Sequence, residues 1–156
     1  LTNPAKAPNQ IMGVYNKSLV EPIANVLKGL NSRHVMVVHS EDGLDEFSIA
    51  NTTYVAELKD NNISTYTVHP GDFGLEEGNL NSIKAENAEQ SLALINEAFS
   101  GKKGVARDII ALNAGAAIYV SGLVNSFDEG ITKANQILSD GSAQDKLDAY
   151  TLASNS

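Results

Sequence analysis

The chain has 156 residues, with 19 aspartates and glutamates against 11 lysines and arginines, a net charge of -8 and no cysteine. This is the length of one ordinary domain, which buries roughly two thirds of the surface of its unfolded chain. The acidic balance argues against nucleic-acid binding, and the lack of cysteine excludes a disulfide scaffold and a thiolate zinc site.

The first part of the sequence predicts a β-α-β unit. Residues 1 to 10 form an extended lead-in without the features of a secretory signal, so we expect a cytoplasmic protein. A short strand at 11–15 is followed by a helix that starts at Ser18, where Ser18 and Glu21 form a capping box. With a strand at 34–39, the pattern indicates a right-handed crossover between parallel strands.

The crossover helix is predicted to end near residue 30, where Gly29 and Asn31 mark the stop. Its core-facing stripe has helical spacing. The stripe consists of Leu19, Ile23, Val26, Leu27 and Leu30.

The second predicted strand runs directly into an acidic loop. Residues 35–38 are all apolar, which is typical of a strand covered on both faces. The loop lies just past the carboxyl end of this strand, where open α/β sheets bind ligands. It carries Glu41, Asp42, Asp45 and Glu46.

Asp45 and Glu46 are the candidate metal ligands. Adjacent carboxylates on a loop can reach one cation, and Mg²⁺ is usually held by one or two carboxylates, with water and substrate phosphates filling the remaining positions. Gly43 permits the turn, and Asp42 is a candidate for supporting the ligands from behind. The alternative is a solvated acidic loop without a ligand, and it stays open at this point.

Three histidines and two serines are weaker candidates for a functional role. His39 lies at the strand exit, where an imidazole could act as acid, base or substrate donor; the alternative is that it caps the sheet edge. His34 and His69 have no ligand spacing and receive no role. Ser40 and Ser48 have no base at motif spacing, so neither is a convincing nucleophile.

A hairpin is predicted after the acidic loop. Residues 54–59 and 63–68 alternate in the manner of strands, and the turn formers Asp60, Asn61 and Asn62 separate them. We expect these strands to be antiparallel and to lie at the sheet edge. A loop at 69–78 then ends the sheet region.

The second half of the sequence predicts helices alone. Asn87 caps a helix that ends near residue 99, and Ser126 caps another over 127–138. Between them, residues 105 to about 123 form a helix that is apolar nearly all round and rich in small residues, which lets another element approach closely. It falls short of the ~20 apolar residues that span a bilayer, so it is expected to be buried in the protein.

A last helix is predicted to begin at Ser142, with Leu147 and Tyr150 facing inward. The basic segment 101–104, Gly-Lys-Lys-Gly, lacks a preceding strand and is interpreted as a turn between helices, not as a phosphate loop. Asn113, if buried, needs hydrogen-bond partners and is expected to tie its helix to a loop rather than touch a substrate.

These elements define an α/β fold: a mixed sheet with a β-α-β unit and a hairpin, followed by C-terminal helices, in one domain over 1–156. A four-stranded sheet with one long crossover is small. We therefore expect a larger sheet to be completed by sequence that is not present here.

Several segments resemble the anthranilate phosphoribosyltransferase family, in order and at familiar spacing. They are Leu-Thr-Asn-Pro-Ala at 1–5, Gly-Val-Tyr at 13–15, the acidic segment 37–48, Asp-Phe-Gly at 72–74 and Leu-Asn-Ala-Gly-Ala-Ala at 112–117. The most specific part is Asp-Gly-Leu-Asp-Glu, which ends at Asp45 and Glu46.

The resemblance implies the larger domain of the nucleoside phosphorylase/phosphoribosyltransferase (class IV) fold. It also implies transfer of the phosphoribosyl group of phosphoribosyl pyrophosphate (PRPP) to anthranilate in tryptophan biosynthesis, by a homodimer. The family's Asp-Glu pair, which matches Asp45 and Glu46, binds Mg²⁺ that neutralises the pyrophosphate leaving group.

The chain also departs from the family pattern. The family's Gly-Thr-Gly-Gly-Asp loop, its Lys-His-Gly-Asn-Arg segment and its anthranilate-contacting arginine are absent. The expectation is that residues 1–156 are the C-terminal part of the catalytic domain and are inactive alone. The alternatives are a relative of the pyrimidine-nucleoside phosphorylases and a non-catalytic interaction module.

Overall fold

The computed structural model describes residues 7–155 and contains a four-stranded mixed sheet with helices on both faces. The strand order is β1-β2-β3-β4; β1 and β2 are parallel, and the other neighbours are antiparallel. The elements are β1 (Asn9–Gly13), α1 (Val20–Gly29), β2 (His34–Ser40), β3 (Thr53–Lys59), β4 (Asn62–Val68), α2 (Ala88–Phe99), α3 (Val105–Ser121), α4 (Phe127–Ser139) and α5 (Ser142–Ser154). The predicted α/β architecture is confirmed.

The family-like motif at 1–5 lies outside the described residues. Within 7–155, no helix combines the length and the apolar character needed to cross a bilayer.

Strand β2 is the centre of the fold because both of its faces are covered. Val35 and Val37 pack with α1 residues on one face, whereas Met36 and Val38 pack with α3 and α4 residues on the other. All four side chains are fully buried. An uninterrupted apolar run is what a strand between two layers requires, and this prediction is confirmed.

The start of α1 differs from the prediction. A 3-10 turn at Lys17–Leu19 precedes the helix, and its cap is Asn16, whose side chain accepts a hydrogen bond from Ser18 N at 2.9 Å. Ser18 therefore lies inside the turn, and the capping box with Glu21 does not form. Asn16 is extended and lies two residues earlier, and its Oδ1 also accepts from Ser18 Oγ at 2.8 Å, so the Ser18 hydroxyl is engaged away from the first turn of α1.

The buried face of α1 is also rotated from the expected stripe. Val20, Ala24 and Leu27 are buried, whereas Val26 and Leu30 are 45% and 49% exposed. Val20, Ala24 and Leu27 pack together in the cluster between α1 and the sheet, and Val26 and Leu30 lie at the margin of that face.

The hairpin forms as predicted but with a tighter turn. Asp60 and Asn61 both have positive φ, at 50° and 61°, which is the conformation of a two-residue hairpin turn. Asn62 already pairs with Lys59, so it belongs to β4. The first strand is likewise shifted, since β1 ends at Gly13 and Tyr15 is 82% exposed.

Helices α3 and α4 meet through two glycines. A Cβ on Gly130 would lie 2.2 Å from the Gly115 carbonyl oxygen, and a Cβ on Gly115 would lie 2.7 Å from Ile131 Cα. Contacts this short exclude any side chain at either position. The small residues of α3 thus serve the close approach that the sequence predicted, with α4 as the neighbour.

The last helix is less buried than predicted. No residue of α5 is fully buried, and Tyr150, expected to face inward, is 69% exposed. Leu147 is half-buried. Ala143 is the α5 residue that packs against the cluster formed by Ala111, Ala134 and Leu138. Ala143 and Leu147 are thus partly covered, whereas the residues after Leu147 are exposed.

A buried polar network, which the sequence analysis did not predict, joins the sheet to α3 around Glu57. Its carboxylate accepts hydrogen bonds from His34, Tyr66 and Tyr119, each at 2.8 Å. Lys59 Nζ donates to the Tyr119 hydroxyl at 3.1 Å. Burial acts to raise the pKa of Glu57, but the hydrogen bonds from Tyr119, Tyr66 and His34 outweigh it and hold that pKa below its ordinary value of 4.5.

Glu57→Gln is expected to lower the free energy of unfolding by about 1–3 kcal/mol at neutral pH, because three donors lose a charged acceptor. A carboxyl with a depressed folded-state pKa contributes stability that is present above its unfolded value of 4.5 and is lost as the pH falls through the folded-state pKa. The difference between wild type and variant should therefore shrink on acidification. Urea titrations from pH 7 to pH 3 measure it.

The exposed Glu86→Gln variant is the control for loss of one carboxylate. A Glu57→Gln difference that stayed constant over this pH range, or that matched the control, would show that the network does not stabilise the ionised carboxylate.

Candidate metal centre

The acidic loop turns back on itself directly after β2. Ser40 N donates to the Leu44 carbonyl at 2.9 Å, and Gly43 N donates to the Ser40 carbonyl at 2.9 Å. Gly43 has φ 92°, a conformation that favours glycine, as the sequence indicated. This closed turn places Asp45 and Glu46 at the carboxyl end of β2.

Two of the four loop carboxylates hold the loop in shape. The Tyr54 hydroxyl donates to Glu41, and Lys17 Nζ lies 3.4 Å from the centre of the Tyr54 ring. Asp42 accepts from Ser48 Oγ and, at 3.3 Å, from Leu44 N. The Asp42 carboxylate therefore stabilises the conformation of the loop.

The other two carboxylates are uncommitted. Asp45 and Glu46 are exposed, and neither side chain has a hydrogen bond or ion pair with any residue in the described range 7–155. Partial burial, together with the charge of Asp45, raises the pKa of Glu46 above its ordinary value. A bound cation would relieve this repulsion.

The donor set fits Mg²⁺ better than a fully protein-ligated ion. Among residues 7–155, no cluster of three or more His, Asp or Glu side chains is arranged to hold a metal. Mg²⁺ does not need one, because it usually keeps several waters and takes one or two carboxylates plus substrate phosphates. Two neighbouring exposed carboxylates meet that requirement.

Asn113 of α3 anchors the loop immediately after the pair. Its Oδ1 accepts from Phe47 N at 2.9 Å, and its Nδ2 donates to the Phe47 carbonyl at 2.8 Å. The Phe47 side chain is fully buried and lies 5.0 Å from the Phe127 ring. The expectation that Asn113 ties its helix to a loop is confirmed.

Gly13, at the end of β1, supports the pair from another side. A Cβ at this position would lie 1.6 Å from the Asp45 carbonyl oxygen and 2.9 Å from Asp45 Cβ. Only a residue without a side chain allows the Asp45 backbone to pack here. The sequence analysis missed this contact, although Gly13 stands in one of the family-like segments.

His39 has a structural role. Its Nδ1 lies 2.8 Å from the Val14 carbonyl, and because a carbonyl can only accept, the proton is on Nδ1. The bond joins the end of β2 to the residue after β1, which is the capping role given as the alternative.

The other candidates also have structural roles. His69 caps a 3-10 helix at Pro70–Phe73, where its Nδ1 accepts from Gly71 N. The basic segment forms the turn between α2 and α3, with Lys102 paired to Glu97 at 2.7 Å, so the helix-turn interpretation is confirmed.

The mixed sheet and its acidic loop define an α/β domain with a candidate ligand site at the carboxyl end of a central strand. Residues 1–144 match the family described as "Glycosyl transferase family, a/b domain", and the chain belongs to this family.

Curated relatives carry the name that the motifs suggested. Anthranilate phosphoribosyltransferase from Ruthia magnifica subsp. Calyptogena magnifica is 64% identical over 150 residues, covering 96% of this chain and 44% of the relative. The enzyme of the same name from Marinomonas sp. (strain MWYL1) is 54% identical over 149 residues, covering 94% of this chain and 43% of the relative. The chain therefore spans less than half the length of these relatives.

Solved structures that resemble this chain carry the same enzyme name. The crystal structure of anthranilate phosphoribosyltransferase from Thermus thermophilus has a TM-score of 0.80 and 32% identity, covering 88% of this chain and 40% of that one. The Saccharomyces cerevisiae enzyme in complex with PRPP and Mg has a TM-score of 0.78 and 29% identity, covering 90% and 41%. The predicted fold and the resemblance are confirmed.

Gly13→Ala is expected to displace Asp45, because no rotation of a methyl group relieves a 1.6 Å contact with a backbone oxygen. The free energy of unfolding should fall by about 1–3 kcal/mol, and amide exchange should quicken between Asp45 and Phe47. Chemical denaturation and hydrogen exchange measure the two effects.

Gly29→Ala is the matched control, since nothing lies within 4 Å of a Cβ there. If both variants were equally stable and exchange in the loop were unchanged, Gly13 would have no part in holding Asp45.

Proposed function

We propose that the complete protein transfers the phosphoribosyl group of PRPP to the amino nitrogen of anthranilate, giving N-(5-phosphoribosyl)anthranilate and pyrophosphate, in L-tryptophan biosynthesis. This chain contributes Asp45 and Glu46, which hold Mg²⁺. The observation that carries the proposal is the uncommitted carboxylate pair at the carboxyl end of β2 in a member of the glycosyl transferase family.

Two further observations support the substrates. Relatives up to 64% identical are named for this reaction, and a structural neighbour is a yeast enzyme in complex with PRPP and Mg. Another is the same yeast enzyme in complex with 4-fluoroanthranilate. We extend these ligand classes to the complete protein.

The chemistry requires stabilisation of negative charge. The amino nitrogen forms a bond to the ribose C1 carbon, the bond from that carbon to the diphosphate oxygen breaks, and the nitrogen loses a proton. Mg²⁺ supplies charge neutralisation on the departing diphosphate. Asp45 and Glu46 bind and orient the ion, while the rigid turn behind them keeps their carboxylates at the strand end. No covalent intermediate with the protein is required.

The remaining substrate contacts belong to sequence that this chain does not contain. The relatives are more than twice as long as the part matched here. We propose that an upstream half supplies the phosphate-binding loop and the anthranilate contacts, and that the complete protein works as a homodimer in the cytoplasm. A chain without cysteine is compatible with that reducing compartment.

The activity is tested with a chimera that joins this chain to the upstream half of the Ruthia magnifica relative, which is 64% identical over the shared region. We expect the chimera to consume anthranilate in a reaction that requires PRPP and Mg²⁺, and we expect no consumption by the 156-residue chain. The fluorescence of anthranilate measures its consumption. An assay with uridine and phosphate in place of PRPP and anthranilate is the control for pyrimidine-nucleoside phosphorylase activity.

A folded chimera that consumed no anthranilate would contradict the proposed reaction. Turnover by the chain alone would contradict the division of substrate contacts between two halves.

Asp45→Asn combined with Glu46→Gln in the chimera is expected to raise the Mg²⁺ concentration needed for half-maximal rate by on the order of 10- to 100-fold. The KM for anthranilate should be nearly unchanged, because the proposed role of the two carboxylates concerns the ion on the diphosphate and not anthranilate. Initial rates over a Mg²⁺ titration at saturating PRPP measure the change.

Glu76→Gln combined with Glu77→Gln is the matched control: it also removes two adjacent loop carboxylates. An unaltered Mg²⁺ titration in the Asp45/Glu46 variant, or an equal shift in the control, would reject the metal role.

A further inference from the structure

The side-chain amide of Asn113 is almost fully used by backbone partners. Besides its two bonds to Phe47, Nδ2 donates to the Ile109 carbonyl at 3.0 Å. An asparagine amide has two donor hydrogens and one acceptor oxygen, so both hydrogens and the oxygen are engaged. Nothing is left with which Asn113 could donate to a substrate.

The two bonds to Phe47 fix the backbone next to the metal ligands. Phe47 follows Glu46 directly, so the bond to its N–H fixes the peptide plane shared with Glu46, and the bond to its carbonyl fixes the next plane, shared with Ser48. The buried Phe47 ring prevents the segment from sliding along the helix. Sites that bind a ligand well need their groups held within about 0.5 Å, and a polar tie between residues 66 positions apart in the chain supplies such a restraint.

Gly13, at the end of β1, restrains Asp45, the other residue of the pair. Its missing side chain is the space into which the Asp45 backbone packs. The carboxylate pair is therefore held between a helix contact on the Phe47 side and a strand contact on the Asp45 side. Because the carboxylates themselves have no partner among the described residues, these backbone contacts are what fix the points from which the two side chains extend.

We propose that Asn113 is a positioning residue for the divalent cation, acting through the Phe47 backbone on Asp45 and Glu46. This inference rests on the proposed function, since it assumes that the pair binds the ion. It goes beyond that function because it assigns metal affinity to a helix residue that contacts neither the ion nor a substrate.

Asn113→Ala and Asn113→Ser in the chimera provide the test. A serine on a helix can bond back to the carbonyl four residues earlier, so the serine variant keeps an intrahelical bond to Ile109 and loses the bonds to Phe47. Both variants should raise the half-saturating Mg²⁺ concentration about tenfold, with the KM for anthranilate and the rate at saturating Mg²⁺ largely retained.

A binding measurement without turnover accompanies the kinetics. Mn²⁺ is titrated into each chimera in the presence of pyrophosphate, and the free ion is followed by electron paramagnetic resonance. The Mn²⁺ dissociation constant should rise about tenfold in both Asn113 variants. Amide exchange at Phe47 should quicken, because its N–H has lost its acceptor.

Asn135→Ala is the matched control. Asn135 is a half-buried asparagine on α4 whose Nδ2 donates to the Ile131 carbonyl at 3.2 Å, four residues earlier, and it has no bond to the acidic loop. It should leave both metal measurements unchanged although it also loses an amide hydrogen bond within its helix.

The outcomes separate the inference from the function beneath it. If either folded Asn113 variant binds Mn²⁺ like wild type, or if Asn135→Ala shifts binding equally, the positioning role of Asn113 is overturned while the metal pair stands. If the Asp45/Glu46 variant leaves Mn²⁺ binding unchanged, the metal role itself fails. If the alanine variant does not fold, the serine variant decides.

Discussion

The paired hydrogen bonds between the Asn113 amide and the Phe47 backbone connect the two halves of this fold. One partner belongs to a buried helix of the C-terminal half and the other to the loop that leaves the central strand. The contact is possible because the Phe47 ring lies in the core cluster to which β2, α3 and α4 all contribute. The acidic loop thus has a fixed position although most of its surface is exposed.

The four loop carboxylates fall into two groups according to whether they have hydrogen-bond partners. Glu41 and Asp42 have hydroxyl partners, which lock the loop. Asp45 and Glu46 have none within 7–155, and partial burial together with their mutual repulsion raises the pKa of Glu46. Holding two like charges side by side is unfavourable unless something positive joins them. The divalent cation proposed above would relieve this repulsion.

Local patterns predicted the parts of the structure that local physics determines. The apolar run of β2, the hairpin, and the caps Asn87 and Ser126 of α2 and α4 are all where the sequence placed them. The role of Asn113 followed from the cost of burying an amide. Two expectations failed. Asn16, two residues before Ser18, caps the turn in its place through a local bond, whereas Tyr150 is 69% exposed because the tertiary packing of α5 does not cover it. The Glu57 network and the contact of Gly13 with Asp45 join residues far apart in sequence, so no spacing revealed them.

The most direct test of whether Asp45 and Glu46 bind the ion is anomalous diffraction. The crystals are of the complete protein, grown with PRPP and Mn²⁺. We predict an anomalous peak bonded to both the diphosphate and at least one of these two carboxylates, with the Asn113 amide still bonded to Phe47. A peak held by the diphosphate with Asp45 and Glu46 pointing into solvent would contradict the assignment of the metal centre.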